Sequence, residues 1–459
     1  MPTSPLPDRL IRTLELKTAA AQREWQSPGV SVGVVRAGEL VWSHHVGSAR
    51  VEPARTATDD TQFMIGSVTK TFTAVLVLQL RDEGHLDLDA PLGTWLPDTT
   101  HAALTVRQML AHSSGLQREP VGHLWETLEA PDRAALLTGL ESAERVLPPH
   151  FSFHYSNLAY ALLGQVVEAV DGGSWEKSLS KRVLRPLGMT RTGLKPARDR
   201  ARGYQVDPFS GVVTEETPFD LRAMAPLGGL WSSVADLARY AAFIADPDPT
   251  VLAVESMDEM CRPIIMVDPD GWASGYGLGF GMIRRKERVL VGHGGAMPGF
   301  LTGLQVRRSD KVGAIVSANT GAKAMTSVLA ADLVEAVLDE QPTMVDPWVP
   351  ERRQPDLADL LGPWWSEGEE LRLEVREGQL WMVVPGAGPL GETRLAREGT
   401  TTFRAVQGRE RGELLQLVTG PDGGVDKLYF ATYALTRRPL AFAELSARPG
   451  GVRRGTAPA

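Results

Sequence analysis

The hydrophobic and polar positions in the first part of the chain predict a helix, a hairpin and a second helix. Apolar residues from Pro7 onward recur at the spacing of an amphipathic helix. Two β-prone runs within residues 30–47 flank a turn at residues 36–38. The segment MIGSVTKTFTAVLVLQL, residues 64–80, becomes almost wholly apolar after its polar start, which predicts a buried helix that ends near Gly84.

Helical spacing dominates the middle of the chain, and strand patterns return after it. Helices are expected in four segments, residues 105–116, 157–173, 174–189 and 233–246. Apolar runs broken by turn residues predict strands within residues 288–295, 300–308 and 312–320, followed by a helix over residues 327–341. This order predicts an α+β fold of the α/β-sandwich type. Its single antiparallel sheet would be closed by segments that are distant in sequence. Helices would flank the sheet, and a helical region would be inserted between its strands.

A change of pattern beyond the last of these helices indicates a second domain. Residues 341–356 are rich in proline and charge, which is typical of a linker. Residues 357–449 alternate in period two between glycine turns and predict a small antiparallel β-barrel. We therefore divide the chain into a first domain over residues 1–340, the linker, the barrel and a disordered tail over residues 450–459.

Composition and charge narrow the class of protein. The 459 residues are 43% hydrophobic and 23% charged, as in globular proteins, and the single cysteine, Cys261, excludes an intrachain disulfide. A net charge of −8 without clusters of Lys and Arg argues against a nucleic-acid partner. The sequence contains no run of about 18 apolar residues, so no membrane span is expected. Because the N-terminal residues also lack a signal-peptide pattern, we expect a soluble cytoplasmic protein.

The first candidates for chemistry are Ser67 and Lys70, at the start of the predicted helix over residues 64–80. A spacing of three places both side chains on one face of a helix. Ser67 lies at the helix start, where free N–H groups favour a developing oxyanion. A lysine removed from water has a lowered pKa and can accept the serine proton. An N-cap serine followed by a surface lysine is the alternative, and this segment alone does not choose between the two.

The same four-residue pattern occurs twice more, at residues 174–177 and 178–181. Both copies lie in a charged, amphipathic helical segment, where a solvated lysine is the expected structure. A Ser-x-x-Lys pattern in this chain therefore needs support from other motifs.

A second candidate segment is Tyr155-Ser156-Asn157, directly before a predicted helix. A tyrosine beside a cationic lysine can relay a proton to a leaving group, and an asparagine amide can hold a substrate carbonyl or the lysine. The alternative is a core tyrosine followed by an asparagine that serves only as the helix N-cap.

A third candidate segment is His293-Gly294-Gly295, on a predicted edge strand. Glycines at such a place allow a substrate backbone to lie against the strand. The N–H groups that follow can complete an oxyanion hole with the N–H of Ser67. The alternative is a glycine-rich bulge with a hydrogen-bonded histidine.

Together, GSVTK, YSN and HGG resemble, in this order, the three motifs of serine β-lactamases and penicillin-binding proteins, Ser-x-x-Lys, Tyr-x-Asn and Lys-Thr-Gly. The chain is most similar to the class C-like branch of this superfamily, over residues 22–339. The resemblance implies a β-lactamase/transpeptidase-like fold for the first domain. The second domain resembles the lipocalin-like barrels that follow this fold in some D-aminopeptidases, esterases and peptide cyclases.

The resemblance also implies a role for each motif residue. Three residues would carry the chemistry: Ser67 as the acylated nucleophile, Lys70 as its proton acceptor and Tyr155 as the acid/base partner. Five would bind substrate: Asn157, His293, Gly294, Gly295 and Ala296, with the Ala296 N–H in the oxyanion hole.

The third motif departs from the family pattern, because His293 stands where β-lactamases carry a lysine. That lysine helps to hold the carboxylate of a penicillin, and a neutral histidine lacks its charge. We therefore expect weak or absent β-lactamase activity. No metal-ligand motif accompanies the histidines, so we expect neither a metal site nor a cofactor.

We expect a serine hydrolase that cleaves small-molecule esters, amides or peptides through an acyl-enzyme on Ser67, as esterases and D-aminopeptidases do. Transfer of the acyl group to an amine, by an acyltransferase or peptide cyclase, stays open because the acyl-enzyme is common to both. A class C-like β-lactamase and a non-catalytic ligand-binding protein on the same fold are further alternatives. The oligomeric state is left undetermined by the sequence.

Overall fold

The computed structural model describes residues 6–444 except for positions 98, 218, 219, 345, 346, 351, 353, 367, 422, 442 and 443. It divides into two units, Met1–Met344 and Val345–Ala459. The tail predicted over residues 450–459 and the end of the predicted barrel, residues 445–449, lie outside the described residues.

In its described residues, the first unit combines helices with one large sheet and two short strand pairs. Its helices are α1 (Asp8–Trp25), α2 (Thr69–Asp82), α3 (Val106–Leu110), α4 (Leu124–Thr127), α5 (Arg133–Gly139), α6 (Asn157–Asp171), α7 (Trp175–Leu179), α8 (Ala225–Gly228), α9 (Val234–Ala245), α10 (Val254–Met260) and α11 (Thr326–Glu340). Its strands are β1 (Gly29–Arg36), β2 (Glu39–Gly47), β3 (Phe63–Met64), β4 (Tyr204–Val206), β5 (Val213–Glu215), β6 (Trp231–Ser232), β7 (Ile265–Met266), β8 (Ser274–Tyr276), β9 (Gly281–Arg285), β10 (Arg288–Met297), β11 (Phe300–Arg307) and β12 (Val312–Ala318). Among the described residues, no helix has the length and apolar character that crossing a membrane requires.

The large sheet confirms the predicted closure by distant segments. Within the described residues it has eight strands in the order β2-β1-β12-β11-β10-β9-β8-β7, and the neighbours pair antiparallel. The early strand β1 pairs with the late strand β12, with Val30 opposite Ala318 and Arg36 opposite Val312. Strand β1 is buried along nearly its whole length, as a central strand covered on both faces should be.

Helices cover both faces of the sheet, which confirms the α/β sandwich. On one face, Leu14 of α1 and Val334 of α11 join a buried cluster with Val32 of β1. On the other face lies a second, larger buried cluster. It contains Phe72 of α2 and Leu237 of α9, together with residues of the inserted helices between them. Burial of aliphatic and aromatic side chains on two sides of one sheet is the main source of stability in such a fold.

Two helical segments are shorter than their apolar patterns predict. The segment 105–116 is helical only in α3, where Thr105 and Gln108 form a capping box and the chain leaves the helix after Leu110. The segment 174–189 divides into α7 and a π-helical turn, Ser180–Leu184. Ser174 is the N-cap of α7, and its Oγ accepts a hydrogen bond from the Lys177 N–H at 3.4 Å, so this Ser-x-x-Lys copy is structural.

The second unit confirms the predicted barrel. Its strands are β13 (Gly362–Ser366), β14 (Glu369–Arg376), β15 (Gln379–Val383), β16 (Glu392–Arg397), β17 (Thr402–Gln407), β18 (Leu414–Thr419), β19 (Val425–Phe430) and β20 (Tyr433–Leu435), each paired antiparallel with the next. Trp365 and Thr436 exchange backbone hydrogen bonds of 2.8 and 2.9 Å, which brings the first and last strands together. Buried side chains such as Trp364 and Phe403 form the core of this unit.

Candidate active site

Ser67 lies in a tight 3₁₀ turn, Gly66–Val68, directly before α2. The turn depends on Gly66, whose φ of +50° is in the region that favours glycine. A Cβ at Gly66 would lie only 2.6 Å from the backbone nitrogen of Ala296, so β10 passes directly against this turn. Glycine therefore allows the start of α2 and the strand of the third motif to meet at Ser67.

Lys70 lies in the first turn of α2, and its side chain is fully buried. Its Nζ has three polar neighbours, Ser67 Oγ at 3.1 Å, Asn157 Oδ1 at 2.8 Å and the backbone carbonyl of Leu227 at 2.8 Å. Burial holds the pKa of Lys70 well below that of an exposed lysine, and the charge of Glu119 opposes this shift in part. The surface-lysine alternative for this segment is therefore wrong.

The Tyr155-Ser156-Asn157 segment enters the site at the start of α6. The N-cap is Ser156, whose Oγ accepts a hydrogen bond from the Ala159 N–H at 3.0 Å, so the interpretation of Asn157 as only an N-cap is wrong. The amide of Asn157 points into the site instead. Its Oδ1 faces Lys70, and its Nδ2 donates to Glu119 Oε1 at 2.6 Å.

Tyr155 packs beside the lysine rather than in a remote part of the core. The Lys70 Nζ lies 4.9 Å from the centre of the Tyr155 ring. Burial raises the pKa of Tyr155, and its hydrogen bond with Ser67 lowers the pKa only in part, so the phenol carries its proton at neutral pH. A protonated hydroxyl is thus placed next to the serine.

Strand β10 presents an unpaired edge next to Ser67. It pairs with β11 as far as Met297 opposite Phe300, whereas in the described part of the chain its pairing with β9 ends at Gly292. A Cβ at Gly295 would lie 1.9 Å from the carbonyl oxygen of Ile65 and 3.1 Å from the Ser67 nitrogen. This close approach brings the backbone of Ser67 beside that of Ala296.

His293 is buried at the base of this edge. Its Nδ1–H donates to the carbonyl oxygen of Gly294, and its Nε2 lies 3.0 Å from the Tyr276 hydroxyl. Burial, together with the nearby Lys70, lowers the pKa of His293 to about 4. The third motif therefore brings no positive charge to the site at neutral pH.

A cavity of about 1040 Å³ opens over these residues. Seven of the eight residues named from the sequence line it: Ser67, Tyr155, Asn157, His293, Gly294, Gly295 and Ala296. The eighth, Lys70, is buried behind Ser67. The fold thus brings all eight together at one site.

Other residues of the site have no motif that reveals them in the sequence. Glu119 and Arg118 reach the cavity from the segment between α3 and α4, and the carbonyl of Leu227 comes from α8. A partly exposed apolar wall is formed by Trp125, Met325 and Val328. These residues belong to segments that only the tertiary fold brings to the cavity.

A second set of residues has the composition of a Ser-His-Asp triad. The imidazole of His45 lies 3.0 Å from Ser31 Oγ through Nδ1 and 2.9 Å from Asp59 Oδ1 through Nε2. Ser31 is fully buried within the sheet and does not line the cavity. A nucleophile must reach its substrate, so this set links β1 and β2 to the turn at Asp59 rather than acting on a ligand.

Comparison with known proteins identifies the family of the chain. The Beta-lactamase family model matches residues 16–339, so the chain belongs to the Beta-lactamase family. A second model, described as Domain of unknown function (DUF7586), matches residues 353–437. Penicillin-binding protein 4 of Amycolatopsis lactamdurans is 28% identical over 379 residues, which cover 76% of this chain and 96% of that protein. The chain is also 29% identical to Beta-lactamase-like protein 2 of Dictyostelium discoideum over 302 residues, which cover 62% of this chain. It spans only about half, 54%, of the length of that relative.

Solved structures share the fold. The octameric penicillin-binding protein homologue from Pyrococcus abyssi superposes with a TM-score of 0.65 and 24% identity, over 93% of this chain and 99% of that chain. D-amino acid amidase from Ochrobactrum anthropi SV3, complexed with D-phenylalanine, superposes with a TM-score of 0.63 and 23% identity, over 73% of this chain and 100% of that chain. At these identities the likeness concerns the fold alone.

Proposed function

We propose that the protein is a serine hydrolase that transfers the acyl group of a small ester, amide or peptide to Ser67 and then to water. The observation that carries this proposal is the set of partners around the Lys70 Nζ. Two of them, Asn157 Oδ1 and the Leu227 carbonyl, can only accept hydrogen bonds. The third, Ser67 Oγ, can donate one.

These partners give the neutral lysine a defined orientation. A neutral amine has two N–H bonds and one lone pair, and the two obligate acceptors take up both N–H bonds. The lone pair is then left for the third direction, where the Ser67 hydroxyl lies. Because burial lowers the pKa of Lys70, this neutral form is favoured, and Lys70 can act as the general base for Ser67.

In the acylation step, the Ser67 oxygen forms a bond to the substrate carbonyl carbon while its proton passes to Lys70. The oxyanion would be held by the N–H groups of Ser67 and Ala296. The bond to the leaving group then breaks, and the leaving group takes up a proton through the Tyr155 hydroxyl, which the Lys70 ammonium restores. In deacylation, a water oxygen forms a bond to the acyl carbon while its proton passes to Tyr155 and the Tyr155 proton to Lys70. The bond from the acyl carbon to Ser67 Oγ then breaks, the Lys70 ammonium returns a proton to Oγ, and the carboxylic acid leaves.

The cavity favours a donor with an apolar group. Trp125, Met325 and Val328 are 44%, 61% and 44% exposed and line the cavity together. Large apolar side chains gathered in a cleft are typical of a binding surface for an apolar ligand group. The neutral His293 offers no cation to a substrate carboxylate. We therefore expect apolar esters and amides to be better substrates than penicillin.

The test is a comparison of initial rates for wild type, Ser67→Ala and Ser174→Ala. The substrates are an activated phenyl ester, the D- and L-isomers of phenylalanine amide, and penicillin. We expect wild type and Ser174→Ala to hydrolyse the ester or an amide, Ser67→Ala to be inactive, and penicillin to be turned over much more slowly. Hydrolysis by Ser67→Ala at the wild-type rate would contradict the proposal, and efficient penicillin turnover would replace the esterase or amidase assignment with a β-lactamase.

Transfer to an amine is the second candidate, since the cavity continues along β10 to Pro298 and the start of α11 beyond the catalytic residues. An acceptor bound there would compete with water for the same acyl-enzyme. Addition of a primary amine to the ester assay, with detection of the amide product, distinguishes this transfer from hydrolysis.

A further inference from the structure

Glu119 is a charged residue of the site to which neither motif nor resemblance gives a role. Its Oε1 accepts a hydrogen bond from Asn157 Nδ2 at 2.6 Å, and the Arg118 Nε lies 3.5 Å from the same oxygen. Its Oε2 is buried and has no hydrogen-bond partner among the described residues. A carboxylate in this position needs an explanation, because an unpaired buried oxygen is unfavourable.

The contact with Glu119 determines which way the amide of Asn157 points. A carboxylate can only accept hydrogen bonds, so it must face the NH₂ group of the amide. The amide oxygen is then directed to the other side, where it lies 2.8 Å from the Lys70 Nζ. If the amide turned over, its NH₂ group would face the lysine and compete for the lone pair that Ser67 requires.

We propose that Glu119 is a positioning residue that fixes the amide of Asn157 and, through it, directs the Lys70 lone pair at Ser67. The residues form one line of contacts from Glu119 Oε1 through Asn157 and Lys70 to Ser67 Oγ, with steps of 2.6, 2.8 and 3.1 Å. This inference rests on the proposed function of Ser67 and Lys70.

The charge of Glu119 has a separate effect from its hydrogen bond. The charged or titratable groups that face Lys70 are Glu119, Arg118, Tyr155, Tyr160, His112 and His293. Glu119 is the carboxylate of this set, and its charge raises the pKa of Lys70 against the effect of burial. Loss of the charge lowers the pKa of Lys70 further, so the neutral lysine persists to lower pH.

A role in binding a substrate ammonium group is the alternative for Glu119. The buried position of Oε2 and the use of Oε1 by Asn157 argue against it. A neutral ester without an amino group separates the two roles, because it offers nothing for a substrate-binding carboxylate to recognise.

The experiment measures kcat/KM for 4-nitrophenyl acetate from pH 4 to pH 10 with wild type, Glu119→Gln and Glu119→Ala. Gln keeps an oxygen that can accept from Asn157 and removes the charge, whereas Ala removes both. We expect Glu119→Gln to stay within about threefold of wild type at its optimum, with the acid limb of its profile moved to lower pH. We expect Glu119→Ala to lose about tenfold or more, as misplacement of a reacting group does. Where Glu119→Ala does not fold, Glu119→Leu takes its place with the same expected loss, because leucine fills the site and cannot accept a hydrogen bond from Asn157 Nδ2.

If the pH profiles of kcat/KM for both variants coincide with that of wild type, the proposal is overturned. Hydrolysis of D-phenylalanine amide is measured with the same variants, and a loss confined to this amine-bearing donor, with normal rates on the neutral ester, would also overturn the proposal and assign Glu119 to substrate binding. Ser67→Ala, assayed in parallel, keeps the two claims separate. If it is active, the proposed function fails. If it is inactive while the Glu119 variants behave as wild type, only the role of Glu119 fails.

Discussion

At the scale of single residues, the site consists of polar groups whose charge state is set by burial. Lys70 is fully buried, so its charged form loses hydration and its pKa falls. The same effect keeps the Tyr155 hydroxyl protonated and the His293 ring neutral. The result is an amine of lowered pKa and a protonated phenol beside one serine, without a metal ligand set among the described residues.

His293 provides a prediction about stability. Its pKa is about 4 in the folded protein, whereas an unfolded histidine titrates near pH 6.5. Between these values the unfolded chain binds a proton that the folded chain does not, so the free energy of unfolding falls as the pH falls. From pH 7 to pH 5 we expect wild type to lose about 2 kcal/mol more than His293→Gln. Denaturant unfolding of both proteins at the two pH values measures this difference.

Buried groups whose pKa does not depend on His293, such as Asp236, are present in both proteins and cancel in the comparison. If wild type and His293→Gln lost the same stability, His293 would have an ordinary pKa in the folded state, and the account of its burial would be wrong.

At the scale of elements, the site depends on the close contact of β10 with the turn before α2. Gly295→Ala would place a methyl carbon 1.9 Å from the Ile65 carbonyl oxygen and force the two elements apart. We expect at least about a hundredfold loss in the rate of Ser67 acylation, since a displacement of about 1 Å has this effect. The rate of ester turnover and the thermal midpoint measure the outcome.

The matched control is Gly294→Ala, one position earlier on the same strand. Its Cβ would meet the Ser327 Oγ at 2.9 Å, the end of a side chain that can rotate away. We expect a much smaller loss than for Gly295→Ala. Equal losses would indicate that the strand tolerates no side chain at all, rather than that one backbone contact is essential.

The sequence predicts the elements that carry local signals and not those that depend on tertiary contacts. Helices α2 and α6 and strand β10 each combine a hydrophobic pattern with a motif, so they and their residues are predictable. Glu119 lies in an irregular segment between α3 and α4, and no period or motif distinguishes it. The segment 105–116 is overpredicted, because its apolar residues pack in the core beyond the end of α3 without remaining helical.

At the scale of the whole molecule, the two units have separate hydrophobic cores. The Beta-lactamase family match, residues 16–339, and the eight proposed site residues all fall within the first unit. We therefore expect residues 1–344 to fold alone and to react with an activated ester at a rate within about tenfold of the full chain. Circular dichroism and the rate of ester turnover, compared with those of the full chain, measure this.

If the fragment differs from the full chain only in which larger substrates it accepts, the second unit would have a role in substrate selectivity. A folded fragment that does not react with the activated ester would contradict the separation of units, because the site would then need residues from beyond position 344.

The most direct test of the central claim is to locate the acyl group on the chain. Wild type, Ser67→Ala and Ser174→Ala are mixed briefly with an activated ester, quenched with acid, and analysed by intact mass and peptide mapping. We predict that wild type and Ser174→Ala gain the mass of one acyl group, on the peptide that contains Ser67, and that Ser67→Ala gains none. An acyl group mapped to another residue, or an equal mass gain in Ser67→Ala, would contradict the assignment of Ser67 as the nucleophile.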